Sequence, residues 1–328
     1  MLSSEKMYGR LEEWAVLAED LGYDSVWLAE HHFSSYGYIP NPLLMAVKLA
    51  QVTQRIRLGT AVLVLPFWNP LRVAEDIAMT DQLTGGRLEV GVARGYQPYE
   101  FQRFDIDMND NRERTDEALE VLLRALTEDG FEYHGRYFNI PETTIFPKPS
   151  QKPRPPIWLA AHTPESFDIA VRYGLKAITT NSGRPIEVLE EGWAAFLESR
   201  RSHGLEGDAE FAVQQQLCVA PTNDEARAQM EHFRYAFRQV NHLRSGTQHV
   251  VRGYSEPLPI EGEPSLDEIF TRRTLSGSPE TVRAKLAAYQ DVCGITALNC
   301  TFQLGAMEPE TVTRSMRLFA EGVMPHFR

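Results

Sequence analysis

The residues best suited to chemistry stand at Glu30-His31-His32, directly after the apolar run Val26-Trp27-Leu28. Imidazole changes protonation near neutral pH, so a histidine of this stretch, His31 or His32, could take or give a proton. A two-histidine metal site is one alternative, but neighbouring residues on an extended segment point to opposite faces and make poor ligands for one ion. A hydrogen-bonded core histidine is the other. Two further places carry groups suited to an anion. Arg94 lies in Ala93-Arg94-Gly95-Tyr96, after the apolar run Leu88–Val92, and Thr163 and Ser166 flank Pro164-Glu165 at the start of a helical stretch. Hydroxyls and unpaired backbone N–H groups at such a start suit a phosphate. Each also has an ordinary explanation, a surface arginine in a salt bridge and a threonine N-cap.

A repeating pattern of helices and strands must position these groups. Glu5 to Leu21 reads as an amphipathic helix, stopped by Gly22 and followed by the strand Asp24–Leu28. Helix Leu43–Thr53, strand Ile56–Leu65, helix Pro70–Leu83 and strand Leu88–Val92 continue the alternation, and Asn109–Glu128 is a long helix. Phe131–Phe146 looks like an inserted hairpin with an extended crossing. Strand Ile157–Ala161, a helix to Tyr173, strand Ala177–Thr179, helix Pro185–Ser202, strand Phe211–Ala220 and helix Asp224–Gln239 come next. Asn241–Leu275 lacks clear periodicity, and a stretch that long inside a compact fold is usually a functional lid or a disordered insertion. Ser278 and Pro279 open another helix, Thr296–Phe302 is a strand, and Pro309–Val323 is the last helix.

Such repeats argue for an α/β fold with a parallel sheet, and strands of a parallel barrel carry chemistry at their carboxyl ends. Seven strands are counted where eight would close a TIM (β/α)8 barrel; the missing one should precede the first helix, where only Met1 to Ser4 stand. An edge left by its absence would be unprotected, so the functional form is expected to carry an apolar strand encoded upstream of Met1. No boundary divides the chain, and residues 1–328 read as one barrel domain.

The formal net charge of −12, with acidic residues spread along the chain, argues against nucleic acid and anionic membrane as partners. The three cysteines, Cys218, Cys293 and Cys300, have no C-x-x-C spacing. With no leader-like segment and no apolar run long enough to span a bilayer, the expected location is the cytoplasm.

Several motifs in order resemble the bacterial luciferase-like monooxygenases, the luciferase alpha subunit (alkanal monooxygenase type) in particular. They are E-H-H-F with Asn41-Pro42, G-T-A-V-L-V-L-P (Gly59 to Pro66), N-P-L-R-V-A-E-D (Asn69 to Asp76), D-Q-L-T-G-G-R (Asp81 to Arg87), A-R-G-Y (Ala93 to Tyr96), F-D-I-D-M-N-D-N-R (Phe104 to Arg112), G-S-P-E-T (Gly277 to Thr281) and V-M-P (Val323 to Pro325). The resemblance implies an eight-stranded barrel that binds reduced FMN, supplied by a separate flavin reductase, forms a flavin hydroperoxide with oxygen, and oxygenates a small organic substrate such as an aldehyde. It places the catalytic histidine on His31, the phosphate arginine on Arg94, phosphate hydroxyls on Thr163 and Ser166, and a non-proline cis peptide under the flavin ring at Ala61-Val62. His162 stands where luciferase has an acidic residue by the phosphate, and Ala93 where it has a reactive cysteine. Asn241–Leu275 would be the lid.

A homodimer is also implied, paired through the helices Leu43–Thr53 and Pro70–Leu83, whose Ala46, Ala50, Ala74 and Ala78 offer small faces. Two readings compete with the FMN monooxygenase. One is a deazaflavin-dependent oxidoreductase of the same superfamily, for whose more negative cofactor a single arginine seems thin. The other is a non-catalytic flavin-binding partner subunit, against which the long lid counts.

Overall fold

All seven expected strands form one parallel sheet in the computed structural model, which describes residues 4–181, 183–207 and 209–328. They are β1 (Ser25–Leu28), β2 (Arg57–Val64), β3 (Leu88–Ala93), β4 (Ile157–Ala160), β5 (Lys176–Thr180), β6 (Phe211–Gln216) and β7 (Ala297–Thr301), paired in sequence order. The sheet curls into a nearly closed barrel, with β1 and β7 as its two margins. The residues before Ser4, where an eighth strand was expected, lie outside the described residues. Side chains bridge the seam between the margins: Tyr23, just before β1, packs edge-on against Phe302 after β7 at 6.0 Å and stacks on Phe319 at 6.3 Å.

Helices coat the barrel because each has an apolar face and a sequence-encoded start. Asn41 accepts from the Leu44 N–H at 3.1 Å to cap Pro42–Ala50, and Asn69 caps Pro70–Leu83 through Leu71 and Arg72. The main core lies between these helices and the outer wall of β2 and β3, where Leu58, Ile77, Leu88, Val90 and Leu119 are fully buried. Inside the barrel, Trp27 meets Trp158 edge-to-face at 5.7 Å and, with Ile178 and Ala212, fills the floor.

Ala46, Ala74 and Ala78 are fully buried and Ala50 nearly so, packed into the protein's own core, which corrects the expectation that these alanines form small faces for a partner subunit. The outer surface of the same two helices carries Leu44, 70% exposed, and Met79 and Leu83, at 54% and 47%.

Two insertions leave the helix–strand repeat. The hairpin Phe131–His134 with Asn139–Thr143 stands where a hairpin was expected. The segment expected to lack periodicity is more ordered than its sequence suggests. Helix Met230–Ser245 runs five residues into it before Gly246, in the left-handed conformation, ends the helix. A second hairpin follows, His249–Val251 with Tyr254–Glu256, then a π-helical turn at Ile269–Arg273. That hairpin docks on the loop after β1: the Ser35 N–H donates to the Gly253 carbonyl at 2.6 Å, and the Ser255 N–H donates to Ser35 Oγ at 3.0 Å.

The β2–β3 ladder breaks between Thr60 and Leu63, and the Ala61-Val62 peptide bond inside the break is cis. Thr60 Oγ1 spans the interruption, donating to the Gly91 carbonyl at 2.8 Å and accepting from the Gly91 N–H at 2.9 Å. The strands approach so closely that a Cβ on Gly91 would lie 2.1 Å from the Thr60 carbonyl oxygen. Backbone cannot yield as a side chain does, so Gly91→Ala is expected to destabilise the fold by about 3 kcal/mol, read as a lowered urea midpoint at unchanged m-value.

Candidate active site

The carboxyl ends of the strands converge on one mouth, and the loop after β1 is fixed there by a buried carboxylate. Glu30, 2% exposed, accepts from the Val64 N–H at 2.9 Å and from Trp68 Nε1 at 3.1 Å, and meets His32 Nε2 at 2.8 Å. The last contact takes His32 away from its neighbour. His31 turns the other way, its Nδ1 2.8 Å from Gln97 Nε2 and 3.4 Å from Glu100 Oε1. The two histidines therefore serve different partners, as the extended-chain argument expects.

His31 is enclosed on every side but one. Gln97 and Glu100, both buried, come from the segment after β3, and Glu100 also accepts from the His32 N–H at 2.8 Å. Nδ1 therefore faces both an amide, which can donate to it, and a carboxylate, which can only accept from it, and Nε2 is left without a protein partner among these contacts. Tyr36 lies 4.5 Å from the imidazole, ring to ring, and Tyr96 6.3 Å. Gly37 is required here: a Cβ on it would come within 2.7 Å of His31 Cβ. Burial pushes both phenols above the ordinary tyrosine value.

Arg94 is exposed at the end of β3 and makes no hydrogen bond or ion pair with the described residues. The helix Pro164–Arg172 begins nearby with a capping box: the Thr163 hydroxyl accepts from the Ser166 N–H, and the N–H groups of His162 and Thr163 each donate to Ser166 Oγ at 3.0 Å. The ordinary cap therefore exists. The same end also stabilises an anion, because the Thr163 hydroxyl, the residue's own N–H, Arg112 and Arg94 hold the exposed Glu165 carboxyl below its usual range. A phosphate could take the place of that carboxylate, so hydroxyl, helix start and arginines suit the anionic end of a flavin nucleotide.

His162 lies at the centre of this positive field, with Nδ1 2.9 Å from Thr179 Oγ1. Desolvation of the ring, reinforced by the charges of Arg184, Arg244 and Arg94, lowers it to about 4, so it is neutral at neutral pH. The residue is exposed at its edge, and solvent there screens part of that effect. Ala61 and Val62 are half-buried on the neighbouring strand β2.

The structure thus brings all the sequence-selected residues to the same end of the barrel. It adds Glu30 as a structural anchor, Gln97 and Glu100 as partners of His31, and Arg112, Arg184 and Arg244 as further cations. Glu30 belongs to a motif visible in the sequence and Gln97 directly follows one, but nothing in their types separates a buried partner from a surface polar residue. Arg184 and Arg244 sit in segments without a motif.

The family model for luciferase-like monooxygenases matches residues 1–294. The chain belongs to the luciferase-like monooxygenase family. Among relatives, the oxygenase component of the flavin-dependent trigonelline monooxygenase of Acinetobacter baylyi is 27% identical over 331 residues, covering 99% of this chain and 91% of that one. The alkanal monooxygenase alpha chain of Photorhabdus laumondii is 31% identical over 176 residues, 54% of this chain and 49% of that one, so the alkanal likeness spans about half of each. The crystal structure of monooxygenase RslO1 from Streptomyces bottropensis superposes with a TM-score of 0.87 at 29% identity, covering 99% of this chain and 95% of that one.

Glu30 gives the geometry its sharpest test. Glu30→Ala leaves the Val64 N–H and Trp68 Nε1 without their acceptor, and a loss of about 3 kcal/mol of stability is expected, measured by denaturant titration. Glu30→Gln, which keeps one acceptor oxygen, should lose less.

Proposed function

We propose that this family member is the oxygenase of a two-component, FMN-dependent monooxygenase that takes reduced FMN from a separate flavin reductase and inserts one oxygen atom of O2 into a small organic substrate. The observation that carries the reading is the meeting, at one barrel mouth, of a histidine held in a fixed orientation and a helix start flanked by unpaired arginine. The trigonelline relative, an oxygenase component, supports the separate reductase. Reduced FMN, when bound, supplies the electrons with which O2 is activated.

The chain's own residues supply the rest. Arg94, Thr163 and Ser166 hold the phosphate, with His162 beside them as a neutral hydrogen-bonding group. Ala61 and Val62, at the end of β2, would support the flavin ring. Gln97 and Glu100 hold the His31 imidazole by Nδ1, which leaves Nε2 to give a proton to the reacting atoms or take one from them. The hairpin docked on Ser35 covers the loop that carries His31 and keeps water from it.

The extra cations favour a second reading. Arg112, Arg184 and Arg244 remove the objection that one arginine is too few for a deazaflavin cofactor, so the two cofactors are to be compared directly. FMN is expected to bind more tightly than the deazaflavin coenzyme in calorimetry; the reverse order would overturn the FMN reading.

Mixing the protein with reduced FMN and oxygen should delay the appearance of oxidised flavin relative to free solution. No delay would reduce the chain to a flavin-binding subunit. Arg94→Ala should weaken FMN binding by about 1.5–3 kcal/mol while leaving riboflavin, which has no phosphate, unaffected. His31→Ala should keep FMN affinity and lose product formed per flavin oxidised.

We further propose a homodimer joined through the outer faces of Pro42–Ala50 and Pro70–Leu83, where Leu44, Met79 and Leu83 leave apolar surface uncovered. Light scattering at micromolar concentration should give twice the chain mass, and Leu44→Asp with Met79→Asp should give one chain mass.

A further inference from the structure

About half of the arginines of this acidic chain face carboxylates, as Arg57 faces Glu89 and Arg238 faces Glu263. Arg184 and Arg244 do not: neither makes an ion pair with the described residues, although both reach the barrel mouth. Arg184 follows β5 in a turn closed by its N–H to the Asn181 carbonyl at 3.0 Å and by Asn181 Nδ2 to the Arg184 carbonyl at 3.2 Å. Arg244 lies in the last turn of Met230–Ser245, its guanidinium 5.5 Å from the centre of the Tyr96 ring. Phe237, two helical turns earlier on the same face, lies over Gly183, where a Cβ would meet its ring at 3.2 Å. The helix face that carries Arg244 therefore packs over the turn that carries Arg184.

We infer that Arg184 and Arg244 bind the carboxylate of an aromatic substrate whose ring rests against Tyr36 and Tyr96 beside His31. Two guanidinium groups held near one another without a counter-ion repel, and Arg184 is driven below its ordinary value by burial and by Arg244. An anion between them removes that repulsion, and guanidinium matches a carboxylate with paired hydrogen bonds. The rings beside the arginines select the rest of the molecule, since Tyr36 and Tyr96 lie 4.5 and 6.3 Å from the His31 ring and the Arg244 guanidinium lies 5.5 Å from Tyr96. The flavin phosphate has its own place, where Arg94 and Arg112 flank the start of Pro164–Arg172. His162 stands between the two positive groups and feels both.

The inference rests on the monooxygenase reading for what happens to the ligand, but its binding test does not. Benzoate is the probe and benzamide, its uncharged counterpart, the control, titrated calorimetrically into the whole protein with and without FMN. Benzoate is expected to bind about ten-fold or more tightly than benzamide. Arg184→Met and Arg244→Met should each erase most of that preference, Arg244→Lys should restore part of it, and the preference for FMN over riboflavin should stay at the parent value. Both side chains reach solvent, and an unchanged thermal midpoint verifies that the variants fold. Equal binding of the two probes, no benzoate binding at millimolar concentration, or a preference that survives both substitutions would overturn the proposal. Loss of FMN-over-riboflavin preference in the same variants would also overturn it, by assigning the arginines to the flavin phosphate. Benzoate preference without any flavin binding would leave the carboxylate site standing and sink the flavin reading instead.

Discussion

The buried Glu30 carboxylate is the contact on which the active end of the barrel depends. It joins the end of β1 to the end of β2 through the Val64 N–H, reaches Trp68 in the turn beyond, and holds His32. A carboxylate out of water is costly unless it is surrounded by donors, and here three groups converge on it. Because His32 is held, the backbone between Glu30 and His32 is fixed, and His31 is aimed at Gln97. The orientation of His31 is thus inherited from a neighbour that does no chemistry itself.

Charge is distributed against the bulk composition. The chain as a whole carries −12, yet Arg94, Arg112, Arg184 and Arg244 gather at the mouth. A positive opening in a negative body draws small anions toward it and disfavours large polyanions, which must also approach the surrounding surface. The neutral state of His162 belongs to the same arrangement, since a further positive charge among three guanidinium groups would be strongly opposed.

The barrel was legible in the sequence because its strands are short apolar runs separated by capped helices, and Asn41, Asn69 and Ser278 mark the helix starts in plain residue types. His31, Arg94, Thr163 and Ser166 stood out because they follow such runs. What the sequence did not disclose depends on tertiary placement. Ala46, Ala74 and Ala78 are small whether they face a partner or the barrel, and burial alone decides. Asn241 to Ser245 continues a helix because Leu243 shares a buried face with Phe233, Ala236 and Gln239, a pattern that a window starting at Asn241 cuts in half. Gln97, Arg184 and Arg244 acquire meaning only from distant partners.

The hairpin between Val250 and Ser255 carries one more consequence. It is fastened to Ser35, within the loop that orients His31, and it springs directly from the helix end that bears Arg244. Lifting it would release the histidine's loop and shift the arginine in a single movement. The positions of His31 and Arg244 are therefore coupled through the same few hydrogen bonds.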